Sequence, residues 1–194
     1  MSTRATYQIE DMTFYCHHDG YPEYAAVRFA RMIAAFNVPA KDDNFREIED
    51  RRGSLMFAFV RGNLDAQPTE SHDAHGDTEW RYTIRFCQSQ KLWTVLSEAR
   101  NWESVGPASR WRDIQCIPLD QFIADHGADF EAEPVVQFHF ESGTHIATAK
   151  AAAGIAHNLG MQADRLEDSN PNKARYAARA AAWAGASVSS NTGR

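Results

Sequence analysis

The spacing of apolar and polar positions changes several times along this chain of 194 residues. Residues 6–17, TYQIEDMTFYCH, are rich in Tyr, Ile, Phe and Thr and predict a first β-strand. Gly20 breaks that strand, and Pro22 suits the first turn of a helix. Ala26, Phe29, Ile33 and Phe36 then recur at spacings of three and four, which predicts an amphipathic helix over 22–36, ended by Pro39. Phe45, Ile48, Leu55, Met56 and Phe59 continue a helical stripe, with Asp43 as a cap, so a helix is expected over 43–61. SLMFAFV taken alone also fits a buried strand, and Gly53 weakens a continuous helix.

Residues 62–79 are polar, rich in Gly, Asp and His, and read as a long loop. Trp80, Tyr82, Ile84 and Phe86 then alternate with polar residues, the mark of a half-buried strand. QSQK turns this strand into LWTVLS as a hairpin. WRDIQCIPL reads as a further strand, LDQFIADHG as a short helix stopped by Gly127, and VVQFHFE as another strand. After Ser142 the chain becomes alanine-rich, with Gly160 as a helix stop. Asn170 and Pro171 then open a last helix that Gly185 closes. The expected fold class is α+β. A small, mostly antiparallel sheet of about four to five strands carries helices on one face within residues 1–145. An Ala-rich C-terminal helical extension follows over 146–186, and a disordered tail over 187–194.

Charge sharpens this division. Residues 1–145 hold 14 Lys/Arg against 23 Asp/Glu, and residues 146–194 hold 6 against 3. An acidic body disfavours duplex DNA as a partner. No apolar run is long enough to span a bilayer, so no membrane role is expected, and MSTRATYQIED carries no apolar signal segment, which argues against secretion. Cys16, Cys87 and Cys116 lie far apart in apolar or strand-like runs. They read as reduced core cysteines of a cytoplasmic protein.

Two stretches hold most of the candidate chemistry. YCHHDGYPEY, residues 15–24, sets His17 and His18 side by side with Asp19, Gly20 and Tyr21. Neighbours in a strand point to opposite faces, so His17 follows Thr13 and Tyr15 while His18 follows Phe14 and Cys16. The plainer reading is a strand-end histidine with a capped helix start. SHDAHGDTE, residues 71–79, adds His72, His75, Asp77 and Glu79. His17, Asp19, Tyr21, His72, His75, Asp77 and Glu79 together make the candidate polar site. His17, His72, His75 and Asp77 are its metal-ligand candidates, because imidazole and carboxylate suit zinc or a harder divalent ion. No Gly-rich phosphate loop, HExxH or GxSxG motif occurs. In the tail, Tyr176, Ala180 and Trp183 form one helical stripe flanked by Arg179. Tyr176, Arg179 and Trp183 are candidates for partner binding or for homo-oligomer formation through the C-terminal helices.

HHDGYPEY and TESHDAHGDTEWRY together resemble a family of small, uncharacterised bacterial and phage proteins. Those proteins have an HxDGYP-like turn near the N-terminus and an HGDTEYxY-like segment leading into a later strand. The matching positions are His17, Asp19, Gly20, Tyr21, Pro22, His75, Gly76, Asp77, Thr78, Glu79, Trp80 and Tyr82. Trp80 stands where the family has tyrosine, and His18 where it usually has an aromatic residue. The resemblance covers roughly residues 7–125 and implies a phage, prophage or mobile-element setting in a bacterial cytoplasm, with no reaction attached. Besides an RNA- or single-strand-binding module through the tail, with Lys173, Arg175 and Arg179 around Tyr176 and Trp183, two functions are expected. One is a non-catalytic accessory protein that binds a host or phage protein, for instance as an inhibitor of a host defence system. The other is a metal-dependent hydrolase using the clusters at 17–19 and 72–77, for which a divalent metal would be the cofactor.

Overall fold

The computed structural model describes residues 3–36, 55–103, 110–140 and 143–189. β1 (Ala5–Ile9) and β2 (Met12–Cys16) form an antiparallel hairpin. The single strand expected over 6–17 is therefore two strands. Glu10 and Asp11 make the turn, with Glu10 at φ 55, a left-handed conformation carried by a residue that does not advertise it. Apolar alternation hides the turn, because Tyr7 and Ile9 of β1 and Phe14 and Cys16 of β2 all bury against one core.

β1 pairs in parallel with β4 (Trp80–Cys87), Tyr7 opposite Tyr82. The residues between them supply α1 (Pro22–Phe36), α2 (Leu55–Gly62) and β3 (Gln67–Thr69). β4 continues antiparallel to β5 (Leu92–Arg100) and β5 to β6 (Trp111–Pro118). The sheet order is β3-β2-β1-β4-β5-β6. The fold is α+β, as the periodicity predicts. The main sheet has six strands rather than four or five, and one of its pairings is parallel. β3 escapes sequence reading because Gln67, Pro68 and Thr69 lack an apolar alternation. Of the helix expected over 43–61, α2 is the described part, and residues 43–54 lie outside the described residues.

One face of the sheet is covered by α1, α2 and α3 (Leu119–Gly127). Aromatic side chains fill the space between. Tyr7 stacks on Tyr82 at 5.2 Å and tilts against Phe59 at 5.4 Å, and Phe29 meets Phe122 edge-on at 5.7 Å. α2 crosses α1 so closely that a Cβ on Gly62 would sit 2.7 Å from the carbonyl oxygen of Arg31. Buried Arg28 of α1 reaches past α2 to a bidentate pairing with Asp65, at 2.9 and 2.6 Å.

The C-terminal part differs most from expectation. β7 (Val135–Phe140) pairs with β8 (Gly143–Thr148), so the chain re-enters a strand where an alanine-rich helix was expected. α4 (Ala149–Asp164) then runs through Gly160, and α5 (Pro171–Ser189) through Gly185. Neither glycine stops its helix. Each costs about 1 kcal/mol of helix propensity, which docking on a partner element outweighs. The start of α5 is as expected, with Asn170 Oδ1 accepting from the Asn172 amide at 2.9 Å. α4 and α5 close a second core around Val136, Ala147, Ile155, Leu159 and Trp183. Gln137 joins the two cores. It bonds both backbone groups of Trp93 on β5, at 3.0 and 2.9 Å, and the Asp120 carboxylate at 2.8 Å. Among the described residues, no helix is long and apolar enough to cross a membrane.

Candidate functional site

The HHDGYP stretch is a corner between β2 and α1. β2 ends at Cys16, and His17, His18 and Asp19 are exposed. Asp19 takes φ 58. Aspartate tolerates that conformation better than most residues. Gly20 follows because nothing larger fits: a Cβ there would lie 2.8 Å from the Arg4 carbonyl carbon. Its amide donates to Thr3 O at 3.0 Å, and its carbonyl accepts from the buried Tyr82 hydroxyl at 2.8 Å. Pro22 then opens α1. Asp19 and Tyr21 thus belong to the corner, and Tyr21 is half exposed.

The histidine loop, residues 70–79, lies across the sheet face that the helices leave open. Each of the six strands holds it with at least one side chain. Thr6 on β1 bonds His72 Nδ1 at 2.7 Å, and Thr83 on β4 bonds its Nε2 at 3.2 Å. Tyr15 on β2 donates its hydroxyl to Asp77 at 3.1 Å. Thr69 on β3 bonds His75 Nε2 at 3.0 Å. Arg100 on β5 donates to the carbonyls of Gly76 and Thr78, the latter at 3.1 Å. Trp111 on β6 donates its indole N–H to Asp73 at 3.1 Å. Arg4, just before β1, adds an ion pair to Asp77 at 3.0 Å.

Tyr15 is the centre of this arrangement and is itself buried. His75 stacks on its ring at 3.7 Å with planes 10° apart, and His17 meets it edge-on at 4.7 Å. Burial, then the bond to Asp77, pushes its hydroxyl pKa up to about 12. Sequence reasoning passed over Tyr15, although strand alternation already set it on the face of His17. His72 stands apart from this stack. Burial and the nearby Arg81 push its pKa down to about 4, so the imidazole is neutral near pH 7.

The expected site is therefore brought together only in part. His17, His75 and Asp77 meet around Tyr15, whereas both nitrogens of His72 are engaged by threonines. The expected metal set is not assembled. Among the described residues, no three His, Cys, Asp or Glu side chains are grouped to hold a metal ion. Glu79 takes part through its backbone, donating to Arg4 O at 3.0 Å and accepting from Arg100 N at 2.8 Å.

The other candidates lie elsewhere. Trp183 is buried against Phe138 and His145 in the second core, so it faces the chain's own interior rather than a partner. Tyr176 packs on the same core, and Arg179 is half buried beside it. The three cysteines are free, but only Cys16 is a core residue. Cys87 is half buried and Cys116 is exposed on β6. No family model, curated protein or solved structure matches this chain.

Proposed function

We propose that the protein is a non-catalytic accessory protein of phage or mobile-element type that acts by binding a host or phage protein. Inhibition of a host defence system is the setting that suits it. The supporting observation is a contrast in how side chains are used. His72, His75 and Asp77 of the histidine loop are engaged in hydrogen bonds to the strands. Large apolar side chains turn outward: Phe57 and Val60 on α2 and Leu64 in the turn beyond it are 66, 38 and 89 % exposed. Adjacent exposed apolar residues of this size are a frequent sign of a protein contact. The acidic balance of residues 1–145 would speed encounter with a basic surface. A hydrolase built on His17, His72, His75 and Asp77 would first have to draw His72 away from Thr6 and Thr83, so the arrangement favours binding over hydrolysis.

The test is affinity capture from bacterial lysate with the wild-type protein and a Phe57→Glu/Leu64→Glu variant, both checked for an unchanged melting temperature. A protein held by the first and lost by the second supports this reading. Identical captured sets, or none, refute it.

A further inference from the structure

The open face of the main sheet is basic and aromatic beneath the histidine loop. Strand register sets Thr6, Tyr15, Arg81, Thr83, Arg85, Glu98, Arg100, Trp111 and Asp113 on this face. Arg4 and Arg110 flank it, each reaching a loop carboxylate. On the face itself three arginines stand against two carboxylates, Glu98 and Asp113, and Arg4 and Arg110 add two more cations at its edge. Glu98 is buried and already paired with Arg81, at 2.7 Å from its Nε. The loop supplies much of the remaining negative charge.

We propose that this face is a binding surface for single-stranded nucleic acid, and that residues 70–79 are a built-in competitor strapped across it. The strap reproduces the two contacts such a strand makes. The His75 ring lies flat on Tyr15 at 3.7 Å, as a base lies on an aromatic platform. Two residues on, Asp77 takes Arg4 and the Tyr15 hydroxyl, as a phosphate would. Asp73 repeats the second contact on the Trp111 indole N–H and, at 3.9 Å, on Arg110. Exposed Trp102, with the Arg100 guanidinium 4.3 Å over its ring, extends the platform beyond the strap.

The strap is built to leave. Ser71, Asp73, Ala74, Gly76 and Asp77 are exposed, and Thr78 is the buried member, so its hold is polar rather than apolar. Displacing it exchanges one set of charge-assisted bonds for another, and the Tyr15 ring that His75 leaves is covered again by a base. Stacking on Tyr15 needs an unpaired base, which sets single strands apart from duplex. The acidic balance of residues 1–145, 14 Lys/Arg against 23 Asp/Glu, does not forbid this local surface, since exposed charges beyond about 10 Å are largely screened at moderate salt.

The test is fluorescence anisotropy with a labelled oligouridylate of about 20 nucleotides at about 50 mM salt. Asp73→Asn/Asp77→Asn should bind about tenfold more tightly than wild type, because the strap loses its charge-assisted contacts. Arg4→Ala/Arg110→Ala added to that variant should remove the gain. Duplex DNA of the same length should bind more weakly than the single strand. Equal binding by wild type and the Asn variant overturns the proposal, as does duplex bound as well as single strand. Circular dichroism checks each fold. Should the Asn variant unfold, Asp73→Asn alone frees the Trp111 indole N–H and Arg110, leaves Tyr15 whole and is read the same way.

Discussion

Acid should loosen the histidine loop through His72. In the folded protein its imidazole lies between Thr6 and Thr83, with Arg81 and Arg85 lowering its proton affinity and Asp73 raising it. Its pKa falls from the ordinary 6.5 to about 4. Above pH 6.5 both the folded and unfolded states hold it neutral, and His72 adds no pH dependence. Below that value the unfolded chain takes a proton that the folded chain refuses, so stability falls as pH drops and levels off near pH 4. At about 1.36 kcal/mol for each pH unit the whole interval is worth at most about 3.4 kcal/mol. His72 is not fully buried, so solvent screening reduces this to about 2 kcal/mol. The assay is urea denaturation at several pH values for wild type and His72→Gln, whose side-chain amide can both donate and accept but does not titrate. Subtracting the two curves removes every other titrating group. The difference should shrink by about 2 kcal/mol between pH 7 and pH 4. A flat difference, or an NMR titration with His72 at its ordinary pKa, refutes the reasoning.

Three further outcomes follow from the packing. Asp65→Asn leaves the buried Arg28 guanidinium without its carboxylate and should cost about 2–3 kcal/mol in urea melts, less than a fully buried pair because Asp65 is well exposed. Arg28→Met/Asp65→Asn should recover part of that loss, and no recovery would place the cost elsewhere. Trp183→Ala should cost about 3–5 kcal/mol and lower helical circular dichroism, because α5 then loses its buried anchor on Phe138 and His145. Added zinc or manganese should leave the melting temperature unchanged, since His72 would have to give up both threonines; a rise of several degrees would support the metal reading.

Local chemistry carried much of this fold. The α1 stripe, the alternation of β4 and the Asn170–Pro171 helix start each follow from a spacing of a few residues, and the structure keeps them close to where they were expected. So does the HHDGYP corner, where Asp19 adopts a positive φ and Gly20 leaves room for the Arg4 backbone. What failed either lacked a local signal or depended on contacts distant in the chain. The Glu10–Asp11 turn lacks glycine, and its two strands bury the same face, so no local signal separates them. Gly160 and Gly185 stay helical because α4 and α5 dock on β7, β8 and each other, outweighing a weak local preference.

The site divides the same way. Composition marked residues 71–79 as dense in histidine and carboxylate, and the polar pattern marked them as a loop. The destination of His72 was set by the parallel pairing of β1 with β4, formed across more than seventy residues of chain. That pairing brings Thr6 beside Arg81 and two residues from Thr83, so the two hydroxyls can hold one imidazole between them. Sequence fixes which groups are present and their local backbone. Register between distant strands decides which of them meet.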